Sequence, residues 1–233
     1  MSTGRPAKLL LFDIDGTLIN TNAAGLTGFA RAFREVFGRD DDLSRVDFAG
    51  ATDSDIIRQL FELHGIDFNP GNQERFRAAY FPALTEILPQ RTGCVLPGVG
   101  ALLDALAARD DVQLALLTGN FAESARLKLV HFGLWNYFPF GAFADDSLDR
   151  NKLGPVALQR AREFRSGTEF VPAADVWIIG DTPKDIACAR AFGARVLAVA
   201  TGKHRMEQLA AHAPDAVLPE LTQTKQVLDL LLA

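Results

Sequence analysis

The sequence contains two cysteines, and neither belongs to a pairing pattern. Cys94 and Cys188 stand alone in 233 residues, without a Cys-x-x-Cys or the regular spacing of a disulfide framework. Their isolation argues against a disulfide-stabilised scaffold and is typical of free thiols in a reducing compartment. The four histidines have no metal-ligand spacing and no nucleophile partner, so the sequence indicates neither a histidine metal centre nor a triad.

Long apolar runs and an excess of positive charge are missing too. No apolar stretch approaches the roughly 20 residues of a membrane span, and residues 1–8 lack the apolar region of a signal peptide. The formal net charge is −5 and the pI is about 5.4, which disfavours nucleic acid or an anionic membrane as the main partner. We therefore expect a cytoplasmic monomer or homodimer with no nucleic-acid or membrane partner.

The hydrophobic residues, 48% of the chain, are arranged in short runs that suit buried strands, and helical stretches lie between most of them. The predicted strands are 9–12, 112–117, 141–144, 176–179, 196–199 and 216–218. The predicted helices are 99–109, 122–131, 155–165, 183–192 and 206–212. This alternation predicts an α/β fold, in which a parallel sheet carries helices on both faces.

Residues 20–92, called the cap segment below, break the alternation. The segment shows no convincing strand; its pattern predicts helices over 23–37, 53–64 and 72–88, separated by glycine and proline stop signals. A stretch of this length is too long for a loop. It is interpreted as an inserted all-helical subdomain, which leaves residues 1–19 and 93–233 as the core and places hinges near 19–21 and 93–97.

The most informative motif follows the first apolar run, where Asp13 and Asp15 are separated by one residue. Side chains of a strand repeat every two residues, so both carboxylates project from the same side. Gly16 then allows the backbone to turn. Two carboxylates this close repel each other and lose hydration at the end of a buried strand. A divalent cation with oxygen ligands, such as Mg²⁺, offsets both costs.

The run Asp13-Ile14-Asp15-Gly16-Thr17-Leu18 resembles the first motif of the haloacid dehalogenase superfamily of phosphohydrolases. The resemblance implies a Rossmann-like core, Asp13 as the nucleophile and Asp15 as the general acid/base. Many members carry a small helical cap directly after this motif, which matches the cap segment. Members similar to phosphoglycolate phosphatase share this overall organisation.

A second motif, Thr118-Gly119-Asn120, follows the predicted strand 112–117 and precedes a helix. A hydroxyl at a strand end, next to the N–H groups of a helix N-terminus, suits a phosphate. The alternative is that Thr118 or Asn120 only caps the helix. In the superfamily this position holds the phosphoryl group, so Thr118 and Gly119 are interpreted as phosphate-binding.

The cation that would hold phosphate against Asp13 is expected between residues 149 and 155. Lys152 followed by Pro155 resembles a family pattern in which a lysine precedes prolines that open a helix, although Leu153 replaces the first proline. Arg150 is a competing candidate. A further alternative is that both cations are solvated residues of a loop. Lys152 is the predicted phosphate-binding residue.

A fourth motif, Gly180-Asp181 followed by Asp185, lies after the predicted strand 176–179. The resemblance implies that Asp181 is a metal ligand and that Asp185 binds or steadies the metal shell. Thr182 and Asp185 also have the spacing of a helix capping box, which is compatible with that role. All four motifs follow predicted parallel strands, and ligands bind at that edge of such sheets.

Together the motifs predict a phosphoric monoester hydrolase that uses Mg²⁺, held by Asp13, Asp181, Asp185 and the backbone carbonyl of Asp15. The expected substrate is a small phosphorylated metabolite, phosphoglycolate-like or a sugar phosphate, hydrolysed through a phosphoaspartate. One alternative is a phosphomutase of the β-phosphoglucomutase type. Another is a catalytically silent binding protein on the same scaffold.

Overall fold

The computed structural model describes residues 8–164 and 171–233. Its strands are β1 (Lys8–Phe12), β2 (Ile19–Asn20), β3 (Cys94–Val95), β4 (Val112–Leu117), β5 (Gly141–Ala142), β6 (Val176–Gly180), β7 (Arg195–Val199) and β8 (Ala216–Leu218). Six of them form a parallel sheet in the order β5-β4-β1-β6-β7-β8. The predicted α/β fold is confirmed, with β1 near the middle of the sheet.

The described residues also form nine α-helices. They are α1 (Ala24–Phe37), α2 (Asp53–Leu63), α3 (Pro70–Ile87), α4 (Val99–Ala107), α5 (Ala122–His131), α6 (Leu153–Phe164), α7 (Pro183–Phe192), α8 (Met206–Ala210) and α9 (Thr224–Leu232). The sequence patterns did not identify α9, and α6 begins two residues before its predicted start. Residue 165, the predicted end of that helix, lies outside the described residues, as do residues 1–7 of the predicted core.

The two faces of the sheet are buried by different helices. In β1, Leu9 and Leu11 pack in a cluster with α6 and α7, whereas Leu10 and Phe12 pack in a cluster with α4, α5 and α9. Alternate residues of a strand point to opposite faces, so one apolar run supplies both clusters. Burial on both faces explains why the strands are apolar runs rather than alternating patterns.

The cap segment contains three helices, α1 to α3, which pack around one apolar cluster that also takes in Phe121 and Ala144 of the core. The largest fully buried aromatic side chains that the cap segment contributes are Phe29, Phe33, Phe61, Phe76 and Tyr80. The antiparallel pair β2–β3 joins the segment to the sheet at the two predicted hinge positions. The helical character of the segment is confirmed, whereas the domain boundaries at 19/20 and 92/93 remain a prediction.

No helix in the described ranges is both long enough and apolar enough to cross a lipid bilayer.

Candidate active site

Three acidic side chains meet at the carboxyl edge of the sheet. Asp13 follows β1 and donates its backbone N–H to the Ile179 carbonyl of β6 at 3.0 Å, which brings it beside Asp181 at the end of β6. Asp185 comes from the first turn of α7. Each of the three offers a carboxylate oxygen within 4.8 Å of the other two, and all three are buried. We call Asp13, Asp181 and Asp185 the acid cluster.

Burial shifts the protonation of two members of the acid cluster. Loss of hydration raises the pKa of Asp13 to about 6, even though Arg150 opposes the shift. Burial, with the charges of Asp185 and Asp13, raises the pKa of Asp181 to about 8. Without a bound cation, burial therefore favours the protonated forms of these two carboxyl groups. A set of hard oxygen donors with excess negative charge fits Mg²⁺.

Two glycines allow the Asp181 carboxylate to pack directly against the backbone. Gly16 has a φ of +83°, and a Cβ there would lie 2.6 Å from Asp181 Oδ2. A Cβ on Gly202 would lie 1.8 Å from the same oxygen. A side chain at either position would occupy room beside the acid cluster, so both glycines are required for the shape of the site.

The Asp15 carboxylate is held apart from the acid cluster. Lys128 Nζ lies 2.6 Å from its Oδ2, and Asn120 Nδ2 donates to the same oxygen at 2.8 Å. Lys128 also donates to Asn120 Oδ1 at 2.6 Å, so the three side chains form a closed triangle. Among the described carboxylates that could share an ion, Asp15 does not appear. Only its backbone carbonyl remains for the metal role predicted from the sequence.

Thr118 lies next to Asp13, as the sequence predicts. It is fully buried at the end of β4, and its hydroxyl is hydrogen-bonded to the Asp13 carboxylate. The N-cap of α5 is Phe121, which makes no side-chain cap, so neither Thr118 nor Asn120 acts as the capping residue of the alternative interpretation. Gly119 lines the cavity above the acid cluster.

The cation beside Asp13 is Arg150, and the expectation for Lys152 is corrected. The Arg150 side chain is 5% exposed, and its Nη2 lies 3.3 Å from Asp13 Oδ1 and 2.5 Å from Asp185 Oδ1. Lys152 is exposed. Arg150–Lys152 form a 3₁₀ turn, whose successive residues point in different directions. Position 150 therefore points into the site, and position 152 points to solvent.

Asp185 belongs both to the acid cluster and to the first turn of α7. Its Oδ2 accepts hydrogen bonds from the backbone N–H of Thr182 at 3.0 Å and from the Thr182 hydroxyl at 2.7 Å. Thr182 in turn caps α7, so the predicted capping box is confirmed. The other oxygen of Asp185 faces Arg150. Asp185 thus fixes the start of α7 and orients the guanidinium that reaches Asp13.

Sequence reasoning did not identify Lys128 and Asn120 as site residues. A signal for Lys128 was available in α5. Its buried face follows helical spacing through Phe121, Ser124, Ala125, Lys128 and Leu129. A buried lysine on a helix requires a partner for its charge, and that partner is Asp15.

Asp53, at the start of α2, joins the cap segment to the core. Its Oδ2 accepts from the Phe121 N–H at 2.8 Å and from the Ser124 hydroxyl at 3.0 Å. Burial raises the pKa of Asp53 to about 6, although Lys128 opposes the shift. Its neighbour Thr52 is the N-cap of α2. The cap segment therefore rests on the sheet edge through a buried polar contact.

A cavity of about 750 Å³ lies between the sheet edge and the cap segment. Asp13, Asp15, Arg150 and Asp181 line its floor, and residues of α1 and the 42–53 loop line the opposite side. The cavity is therefore large enough for a small molecule, with the acid cluster at one end.

Comparison with known proteins agrees with this geometry. A probable phosphatase, IndB, from Dickeya dadantii is 29% identical over 223 residues, covering 92% of this chain and 90% of the relative. A phosphoglycolate phosphatase from Rhodospirillum rubrum is 30% identical over 207 residues, covering 85% and 81%.

Solved structures show the same fold. A hydrolase from Pseudomonas syringae superposes with a TM-score of 0.72 at 19% identity, covering 96% of this chain and 98% of the other. CbbY from Rhodobacter sphaeroides, solved in complex with phosphate, also gives 0.72, at 18% identity and with coverage of 93% and 96%.

The model of the haloacid dehalogenase-like hydrolase family matches residues 10–199. This match includes all four motifs. It confirms the resemblance on which the sequence interpretation rests, and the chain belongs to the haloacid dehalogenase-like hydrolases.

Proposed function

We propose that the protein is a Mg²⁺-dependent phosphatase that hydrolyses a small phosphate ester through a phosphoaspartate on Asp13. The observation that carries the proposal is the acid cluster, in which Asp13 and Asp181 lie buried beside Arg150. Asp15 is held separately at the mouth of the same site. The names of the two relatives, a phosphoglycolate phosphatase and a probable phosphatase, support the phosphatase assignment.

Asp13 and Asp181 would hold the metal, together with the backbone carbonyl of Asp15, while Asp185 steadies this shell. The donor set and the raised pKa values of Asp13 and Asp181 both fit a small hard cation. When bound, Mg²⁺ neutralises charge on these carboxylates and on the phosphoryl group.

The protein's own groups supply the bond-making steps. A carboxylate oxygen of Asp13 attacks phosphorus, the P–O bond to the alcohol breaks, and Asp15 donates its proton to the departing oxygen. Water then attacks the phosphorus of the phosphoaspartate. Asp15 takes back a proton, the acyl–phosphate P–O bond breaks, and inorganic phosphate leaves. Asp13 and Asp15 are thereby restored to their starting states.

Arg150, Thr118 and Gly119 would hold the phosphoryl oxygens during these steps. Arg150 keeps its charge at all relevant pH values, and its Nη2 lies 3.3 Å from Asp13 Oδ1. The cap segment covers the site and limits water, which suits a small phosphorylated metabolite. We place the enzyme in the cytoplasm, as a monomer or homodimer, with the cap segment as a separate helical subdomain.

The first experiment measures phosphate release from phenyl phosphate with Mg²⁺ and with the metal chelated. We expect turnover that requires the metal and that falls below a few per cent in Asp13→Asn. After an acid quench, mass spectrometry should find a phosphoryl group on the peptide that contains Asp13. Metal-independent turnover, or an active Asp13→Asn protein, would contradict the proposal.

A further inference from the structure

The cap side of the cavity differs from its floor in charge. Residues 20–92 contain eight arginines and no lysine. All of these residues are described, and none of the eight arginines lines the cavity. Arg31 and Arg58 are examples: they pair with glutamate or aspartate side chains on the surface of the cap segment. The charged cap residues that line the cavity are all aspartates, namely Asp42, Asp47 and Asp53.

The remaining lining of the cap side includes a wall of apolar side chains. Leu26, Phe29, Phe48, Ile56 and Tyr80 all contribute. Phe29 contacts Tyr80 with ring centroids 4.4 Å apart and contacts Phe48 at 6.0 Å, both edge-on. Aromatic side chains packed in this way form a rigid surface that favours apolar ligands.

Cations at the cavity belong to its floor and rim, and the two buried ones already have partners. Lys128 is paired with Asp15, and Arg150 is paired with Asp13 and Asp185. Lys203 is exposed and follows Gly202, which lies against Asp181 at the phosphate end. Lys128, Arg150 and Lys203 are the cations among the described residues that line the cavity, and none of them comes from the cap segment.

From this distribution we infer that the substrate is the phosphate ester of an uncharged, apolar alcohol with no second anionic group. The inference rests on the proposed function and specifies its substrate class. A carboxylate or a second phosphate on the alcohol would lie beside Asp42, Asp53 and an apolar wall, where it would lose hydration without gaining a partner; Asp47 is paired with Lys184. The protein would thus differ in specificity from the relatives named for phosphoglycolate.

Two esters of equal shape test the inference: 4-carbamoylbenzyl phosphate and 4-carboxybenzyl phosphate, which differ in one negative charge. With Mg²⁺ present, we expect kcat/KM to be at least about tenfold higher for the amide. Phosphoglycolate should be a poorer substrate than the amide by a similar factor. Equal or higher kcat/KM for the carboxylate ester would overturn the inference while leaving the phosphatase assignment intact. If the protein hydrolyses none of these three esters and no phenyl phosphate, both the inference and the phosphatase assignment are overturned.

A matched pair of variants locates the effect in the cavity. Leu26 lines the cavity and is 40% exposed, whereas Leu63 is 41% exposed elsewhere on the cap segment. Leu26→Arg should bring the preference for the amide down to about twofold or reverse it, because it supplies a cation to the carboxylate. Leu63→Arg adds the same charge away from the cavity and should leave the preference unchanged. An equal effect of both variants would contradict a local origin.

Discussion

The side chain that controls the orientation of Asp15 is Lys128. The Asp15 carboxylate is 40% exposed, so without a partner it would be free to rotate, whereas Lys128 is buried and fixed by the packing of α5. The Lys128 ammonium group and the Asn120 amide hold one oxygen of Asp15, which leaves the other oxygen for the proton transfer proposed above. We therefore propose that Lys128 is a positioning residue, acting through Asp15 rather than on the substrate.

Replacing Lys128 by methionine should lower kcat for phenyl phosphate by at least about tenfold while changing KM little, because proton transfer to the leaving oxygen is impaired. Lys128→Arg, which keeps a donor, should recover part of the loss. Arg126 lies on the same helix, is exposed and pairs only with Glu123 among the described contacts, so Arg126→Met is the control. A Lys128→Met protein with normal kcat would exclude this role.

Arg150 and Lys152 offer a second comparison at the level of single residues. Arg150→Met should reduce kcat/KM by about 100-fold and weaken inhibition by inorganic phosphate, since the buried cation beside Asp13 is lost. Lys152→Met changes an exposed side chain and should leave both quantities within about twofold. Steady-state kinetics with phosphate as a competitive inhibitor distinguishes the two positions. The reverse result would restore the assignment predicted from the sequence.

The positions of Asp13, Thr118 and Asp181 were predictable because each directly follows an apolar run, and the ends of parallel strands share an edge. The choice between Arg150 and Lys152 was not predictable. It depends on the rotation of a three-residue 3₁₀ turn, which no periodic pattern specifies. The contact of Asp15 with Lys128 joins residues far apart in sequence, and only the folded structure shows which elements meet.

At the scale of elements, the first turn of α2 connects the cap segment to the core. Thr52 caps the helix, and its hydroxyl also donates to the Leu148 carbonyl at 2.8 Å. Asp53 accepts from Phe121 and Ser124, and its own N–H donates to the Gly119 carbonyl at 2.6 Å. The same two residues that begin a helix of the cap segment therefore fix its position over the loop that follows β4.

The pKa of Asp53 makes this connection sensitive to pH. Because the folded-state pKa of about 6 lies above the ordinary value of 3.8, the folded protein keeps its proton longer than the unfolded chain does. The free energy of unfolding therefore falls as pH rises from about 4 to about 6, by up to about 3 kcal/mol, and stays lower above that range.

Asp53→Asn keeps an acceptor oxygen and removes the charge. It should match the wild type at pH 4 and exceed it in free energy of unfolding at pH 7.5, as measured by urea denaturation. Asp55 lies two residues further along α2, where it pairs with Arg58 on the surface, and Asp55→Asn is the control that should not reproduce this change. A higher free energy of unfolding for the wild type than for Asp53→Asn at pH 7.5 would contradict this prediction.

The order of elements was largely readable from the sequence, and the exceptions have physical causes. Strand and helix bounds agree to within a few residues because β1, β4, β6 and β7 are largely buried apolar runs. The pair β2–β3 is two residues long on each side, too short for any periodic signal. In α9, Val227 and Leu231 are the fully buried residues. Their spacing suits one helical face, but so short a repeat also suits a loop.

At the scale of the whole molecule, metal and protons compete for the same carboxylates. Asp13, with a pKa of about 6, and Asp181, with a pKa of about 8, are both raised above 3.8. Without metal, the folded state therefore retains protons that the unfolded state has lost, and stability falls as pH rises from about 4 to about 8. Binding of Mg²⁺ requires the ionised carboxylates, so it should release protons and become stronger over the same range.

Thermal unfolding with and without millimolar Mg²⁺ tests this competition. We expect the rise in Tm caused by Mg²⁺ to be larger at pH 8 than at pH 5.5, because at pH 5.5 both carboxylates hold protons that the metal must displace. Asp181→Asn should abolish most of the Mg²⁺ effect at pH 8. Asp47→Asn removes an exposed carboxylate paired with Lys184 and should preserve the effect. A Mg²⁺-induced rise that is equal at both pH values, or that survives in Asp181→Asn, would show that the ion binds elsewhere than the acid cluster.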